Sequence, residues 1–178
     1  MIKISVIINI VIGFLILYTL FIISIYKEIF DTNLKIQDLL NIKVNLLFGD
    51  KKYSCVGFID TGNNLCDPLT QKPVFIIDLD VIKNILPINC FESLNKSISE
   101  NNVDELLNIP EISKYIRLVP FSSLGKANGL LISIKIDKIT LKLNKVLYKF
   151  ENPVLGISNQ KLDGRNKYQM IIPFKLFV

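Results

Sequence analysis

The sequence predicts a mainly β domain with one or two short helices, preceded by a single transmembrane helix. Three observations predict it. Residues Ile4 to Tyr26 carry no charge. Several later runs either alternate apolar and polar residues or are short, apolar and bounded by turn residues, as strands are. One polar stretch, Asn89 to Lys114, shows helix-like spacing instead. Half of the 178 residues are apolar, enough for one domain and one membrane segment.

The uncharged run is about 35 Å long as a helix, sufficient for a bilayer core. It lacks the short apolar core and small-residue cleavage site of a signal peptide. Lys27, Lys35 and Lys43 follow it, against Lys3 and the terminal amine before it. That bias leans towards a cytosolic carboxyl-terminal domain. Residues 1–27 therefore read as an anchor, 28–40 as a linker and 41–178 as the domain.

Within the domain, Ile42, Val44, Leu46 and Phe48 alternate with Lys43 and Asn45, the pattern of a half-buried strand. Gly49-Asp50-Lys51 turns the chain, and Lys52 to Ile59 returns. Val74 to Ile77 is a short buried strand, and Leu79 to Leu86 a short helix ended by Pro87. Leu94, Ile98, Val103, Leu106 and Leu107 space one or two surface helices. Tyr115 to Phe121 and Leu130 to Ile136 flank a loop containing Ser and Gly. Ile139–Leu143, Val146–Phe150 and Pro153–Ile157 are further strands; Gly156 inside the last suggests a backbone passing close by. Tyr168 to Val178 ends the chain as a strand broken by Pro173, placed to pair at a dimer interface.

Composition narrows the chemistry. There is no histidine, which excludes Ser-His-Asp and Cys-His hydrolases and every His-ligated metal site. Cys55, Cys66 and Cys90 are odd in number and irregularly spaced, which suits a reducing cytosol and no disulfide framework. The net charge of +5 is modest. Six lysines against one acid between Lys126 and Lys149 read as solvated strand faces, with attraction to membrane lipid or to an acidic partner the lesser alternative. No nucleic-acid signature, phosphate loop, metal site or cofactor site appears.

The run Val56-Gly57-Phe58-Ile59 ends abruptly in Asp60-Thr61-Gly62-Asn63-Asn64. An Asp at a strand end stands on a rigid apolar base, and Gly62 with the two Asn residues suits a tight turn with positive φ. Two such carboxylates at short range cannot both ionise and share one proton. One then activates water while the other protonates the scissile carbonyl. With one Asp-Thr-Gly per chain, a symmetric dimer must supply the second Asp. The plain alternative is an Asp capping its own turn. Leu162-Asp163-Gly164, the one other candidate for a second Asp in the same chain, lacks an apolar strand before it. The strand–loop–strand around Ser122 to Gly129 has the shape of a flap that closes over a peptide, or of an ordinary hairpin.

Three stretches carry a resemblance. Residues Gly57 to Thr70 with Lys72-Pro73-Val74, residues Arg117 to Gly125, and residues Val154 to Leu162 together resemble, in the same order, the sporulation sigma-E factor-processing peptidase (stage II sporulation protein GA) family. The resemblance implies a retropepsin-like aspartic protease barrel and no cofactor. It implies Asp60 as the catalytic acid and base, Thr61 bonding across a homodimer axis, and Gly62 and Asn63 supporting the loop. It also implies Ser122, Ser123, Leu124 and Gly125 in the flap, and Val154, Leu155 and Gly156 packed beneath the active-site loop. The implied substrate is the sigma-E precursor, cut on the mother-cell side of the sporulation septum after a signal from a forespore-made protein. The family has several amino-terminal spans and this sequence one, as a truncated product, a fragment or a shortened homologue would show. The competing reading is a catalytically inactive, membrane-tethered peptide-binding module on the same fold.

Overall fold

The computed structural model describes residues 12–25, 41–100, 102–123 and 126–177. The chain divides into two units, Met1–Asp38 and Leu39–Val178. In the first, residues 12–25 are helical (α1), about 21 Å of helix. Phe14, Leu15, Leu17, Tyr18, Phe21 and Ile23 are all exposed on it. Among the described residues no helix is long and apolar enough to cross a membrane. Residues 4–11 and 26 of the predicted span, and the linker 28–40, lie outside the described residues.

The second unit is the predicted mainly β domain. It contains β1 (Ile42–Phe48), β2 (Lys51–Asp60), β3 (Phe75–Asp78), β4 (Ile116–Ser123), β5 (Lys126–Lys135), β6 (Lys138–Leu143), β7 (Val146–Glu151), β8 (Val154–Ser158) and β9 (Met170–Pro173). All nine belong to one sheet, in the order β4-β5-β8-β3-β9-β2-β1-β6-β7. The β1–β2 hairpin pairs Ile42 with Gly57 and Phe48 with Lys51, so its alternation buries Ile42, Val44 and Leu46. Its turn uses Gly49 at a φ of 56°, open to glycine at little cost. The Gly49 N–H donates to Asp137 Oδ2 at 2.7 Å.

The sheet curls strongly. β3 and β7 are five places apart, about 24 Å in a flat sheet. Yet the Phe75 and Phe150 rings meet edge to face with centroids 5.5 Å apart. The curl encloses a core drawn from most of the strands, including Leu46, Ile77, Ile134, Ile139, Leu155 and Ile172. Each fully buried Leu or Ile of this set contributes about 1.5–3 kcal/mol relative to exposure.

Two expectations change. The polar stretch forms three helices rather than one or two: α3 (Ile88–Glu100), α4 (Asp104–Leu107) and α5 (Pro110–Ser113), after α2 (Leu79–Ile82). They are not mere surface additions, because Cys90, Leu94, Leu106 and Ile112 are buried in the main core. A sparse apolar stripe suffices for this when one helix face meets a core. β9 is no dimer strand either. It lies inside its own sheet, parallel to β2 on one side and antiparallel to β3 on the other. Both of its hydrogen-bonding edges are thereby used. After Pro173 the chain turns into a 3-10 helix, Phe174–Leu176.

Candidate active site

β2 fixes the floor of the site. Gly57 leaves no room for a side chain: an added Cβ would stand 2.6 Å from Ile172 Cδ1 and 2.8 Å from Val44 Cγ2. Ile59 is buried, and Asp60 pairs with Pro173 at the end of the parallel β2–β9 ladder. The Asp60 carboxylate is therefore carried by a packed central strand and is half-buried itself. The Gly62 N–H donates to Asp60 Oδ1 at 2.9 Å. The tight turn does not use positive φ, contrary to expectation: among the described residues, Gly62, Asn63 and Asn64 are not in that region. Space at Gly62 is tight instead. A Cβ there would stand 3.3 Å from Asp60 Oδ1, crowding the oxygen that its own N–H holds. Thr61 is exposed.

Asn63 ties the loop to its neighbours. Its side chain is buried, donates from Nδ2 to the Val74 carbonyl at 2.9 Å and accepts from the Leu65 N–H at 3.1 Å. Val74 N–H in turn donates to the Leu65 carbonyl at 3.0 Å. The loop is thus stitched to the start of β3. Beyond it, Asp67 is fully buried and accepts from the Thr70 hydroxyl at 2.6 Å, the Thr70 N–H at 3.2 Å and the Leu69 N–H at 3.4 Å. It holds the turn that follows it, closed by the Gln71 N–H donating to the Asp67 carbonyl at 2.8 Å.

The small cluster beneath this loop contains Val74, Val119 and Val154, with Leu65 and Leu131 packed against it. Val154 packs with Val74, which the loop is tied to through Leu65 and Asn63. Leu155 points instead into the main core. At Gly156 the close neighbours are side chains rather than backbone, which corrects the expectation: an added Cβ would stand 2.3 Å from Leu131 Cδ2 and 3.4 Å from Val74 Cγ1.

Above the floor opens a cleft of about 770 Å³. It is lined by Asp60 and the loop after it, by Pro120, Phe121, Ser122 and Leu131 of the β4–β5 hairpin, and by Ile157 and Ser158 at the end of β8 with Asn159 and Leu162 after it. Ser122 thus faces the cleft. Ser123 ends β4, and Leu124 and Gly125, the tip of the expected flap, lie outside the described residues. Asp60 is the one acid among the described residues that line the cleft. Asp163 does not line it, and accepts from the Arg165 and Lys167 N–H groups at 3.1 and 2.7 Å as a turn former. Among the described residues no cluster of acids and cysteines is arranged to hold a metal.

A second buried acid was missed by sequence reasoning. Asp78, at the end of β3, is 4% exposed, and its Oδ1 accepts the Leu162 N–H at 2.9 Å, anchoring a wall of the cleft. Burial pushes its pKa up from the ordinary carboxylate value, against the lowering effect of that hydrogen bond. Burial, with the Asp78 charge adding to it, pushes the Cys55 thiol up to about 12. The signal was present: Asp78 closes an apolar run, Phe75-Ile76-Ile77, much as Asp60 closes Val56 to Ile59.

The profile of the family described as sporulation factor SpoIIGA, a peptidase family, matches residues 1–176. The chain belongs to the SpoIIGA family. It is 34% identical over 137 residues to a sporulation sigma-E factor-processing peptidase of Priestia megaterium, covering 77% of this chain and 44% of that protein. It is 27% identical over 162 residues to the protein of that name from Bacillus subtilis, with 84% of this chain and 48% of the relative covered. A putative sporulation sigma factor-processing peptidase of Bacillus thuringiensis is 28% identical over 144 residues, with 77% and 84% covered. The chain spans about half the length of the first two. No solved structure matches it. The three stretches on which the resemblance to the SpoIIGA family rests are far apart in sequence, and all three reach the same cleft.

Proposed function

We propose that this chain is a membrane-anchored aspartic endopeptidase that acts as a homodimer and processes the precursor of the sporulation sigma-E factor. One observation carries the reading. The loop after β2, the β4–β5 hairpin and the segment after β8 converge on a single cleft, and Asp60 is the acid that opens into it. A retropepsin-like site needs a carboxylate on a rigid base with a wall that can cover a peptide; the reading is supported by Asp60 at the end of β2 and by the β4–β5 hairpin beside it.

In this reading two Asp60 carboxylates face each other across the dimer axis and hold one proton between them. The ionised partner takes a proton from water as it attacks the scissile carbonyl, and the protonated partner donates to the carbonyl oxygen. The Gly62 N–H keeps Oδ1 oriented, and Thr61, exposed beside it, bonds to the opposing loop. Residues 4–26 anchor the chain in the septal membrane, with the domain on the mother-cell side and a forespore-made protein as the trigger.

The test is cleavage of purified sigma-E precursor by the full chain in detergent, read by mass spectrometry of the shortened product. The wild-type chain should release one amino-terminal segment and Asp60→Asn should release none. Equal cleavage by Asp60→Asn would remove the proposed site.

A further inference from the structure

We propose that the outer face of the β2-β1-β6-β7 end of the sheet docks on an anionic lipid surface; the proposal rests on the reading above for the anchor alone. Ile42, Val44 and Leu46 point into the core, so Lys43, Asn45 and Leu47 between and after them face outwards. Cross-strand pairing extends that outer face. Leu47 lies between Lys52 and Lys138, and Asn45 between Ser54 and Thr140. Beyond them Lys138 stands opposite Glu151, Thr140 opposite Lys149 and Lys142 opposite Leu147. The β1–β6 register pairs Val44 with Leu141; continued by one residue, it sets Lys43 beside Lys142.

Lys138 and Glu151 neutralise each other at 2.8 Å. Lys43, Lys52, Lys142 and Lys149 are exposed and form no ion pair among the described residues. The acids Asp50 and Asp137 stand at the far end, by the β1–β2 turn, where Asp137 accepts the Gly49 N–H. Like charges opposite each other weaken a strand pair, and a surface of anions removes that cost at Lys43 and Lys142.

Charge alone would suit any polyanion; two further observations select lipid. The β6–β7 hairpin closes through Asn144 and Lys145, at φ of 49° and 67°, and presents Val146 and Leu147 at 52% and 58% exposure. Leu147 lies on the lysine face itself. Aliphatic groups among lysines gain from the boundary of headgroups and acyl chains, and gain nothing from a soluble anion. The chain also enters the domain here, since the same register sets Ile42 opposite Leu143. Ile25, the last described residue of α1, lies seventeen residues earlier, at most about 60 Å of chain. With the anchor in a bilayer, docking is intramolecular and weak attraction suffices.

The chain has no tryptophan, so a single one can report on the face. The full chain carrying Leu147→Trp is placed in vesicles of phosphatidylcholine, alone or mixed about 2:1 with phosphatidylglycerol, both with brominated acyl chains. Emission should be quenched several-fold more in the anionic vesicles, and high salt should reverse the difference. Val146→Trp should behave alike if Leu147→Trp does not fold. Ile88→Trp should show little quenching in either, because Ile88 lies near the β1–β2 turn, where Lys51 Nζ donates to the Leu86 carbonyl at 2.9 Å. Adding Lys43→Glu, Lys142→Glu and Lys149→Glu should remove the quenching, each change weakening docking by about 5-fold or more. The three corresponding arginine changes should preserve it.

Quenching that is absent, that ignores anionic lipid, or that survives the three glutamates would overturn the docking. So would capture of polyglutamate without quenching, which would assign the face to an acidic polypeptide. Precursor cleavage in detergent should be the same with the three glutamates as without them. No cleavage by the wild type, with the quenching pattern intact, would overturn the peptidase and leave the docking face standing.

Discussion

Two Asp-led turns seven residues apart make opposite use of the same side chain. Asp67 is fully buried and saturated: a hydroxyl and two backbone N–H groups donate to it. Asp60 is half-buried and open to a cleft, with the Gly62 N–H as its bond within the loop. A carboxylate surrounded by donors is a structural part, since its charge is spent on holding a turn. A carboxylate on a packed strand with one donor retains capacity for water, a proton or a second carboxylate. Each Asp opens a turn, and hydrogen-bond saturation separates their roles.

The largest effect should come from exchanging the two losses. Asp60→Asn should lower precursor cleavage by at least about 10³-fold, within the range that a positioned acid or base contributes, and leave the melting temperature almost unchanged. Asp67→Ala should do the reverse. Removing a buried, charged acceptor from three donors should cost about 2–3 kcal/mol and lower the melting temperature by several degrees. Activity per folded molecule should stay near that of the wild type below the transition. Calorimetry and a cleavage assay on both variants would break the comparison if either lost both properties together.

A smaller effect sharpens the same contrast from within the Asp60 loop. Gly62→Ala places a methyl carbon 3.3 Å from Asp60 Oδ1, so the carboxylate must shift by a few tenths of an ångström. Cleavage should fall by roughly 10-fold, less than the loss from a full ångström of misplacement. Since φ at Gly62 is ordinary, stability should hardly change. A large drop in melting temperature would mean that the turn itself, and not the carboxylate, depends on the glycine.

The smallest effect concerns Asp78, buried like Asp67 but bonded to a single N–H. Its folded-state pKa is raised by burial. Whatever stability it contributes is therefore full below the ordinary value of 3.8 and is lost as pH rises through the raised folded value. Asp78→Asn keeps an oxygen for the Leu162 N–H and removes the cost of the buried charge. Its melting temperature should exceed that of the wild type at pH 7 by up to about 2–4 °C. The two curves should converge below pH 4. A variant less stable at pH 7 would mean that the charge itself holds the Leu162 segment.

Much of the domain was legible because strands announce themselves by alternation. Ile42, Val44 and Leu46 are buried and Lys43 and Asn45 exposed, as their spacing demands. The misplaced elements depend on long-range partners. Nothing in Met170–Pro173 says whether its neighbours are β2 and β3 of its own chain or a second copy. Nor do Leu94, Leu106 and Ile112, scattered among polar residues, reveal that the curled sheet brings a core to meet them. Gly156 was recognised as a special position, but the reason was crowding by the Leu131 and Val74 side chains, which only the fold brings near.

The most direct test of the shared-carboxylate account mixes two forms of the full chain. Wild-type and Asp60→Asn chains are co-refolded in equal amounts, and precursor cleavage is measured per wild-type copy. If two Asp60 side chains make one site, random pairing leaves about half of the activity per wild-type copy, and a growing excess of the variant drives it towards zero. Activity that stays constant at every ratio would mean that a single chain carries a complete site, contradicting the dimeric mechanism.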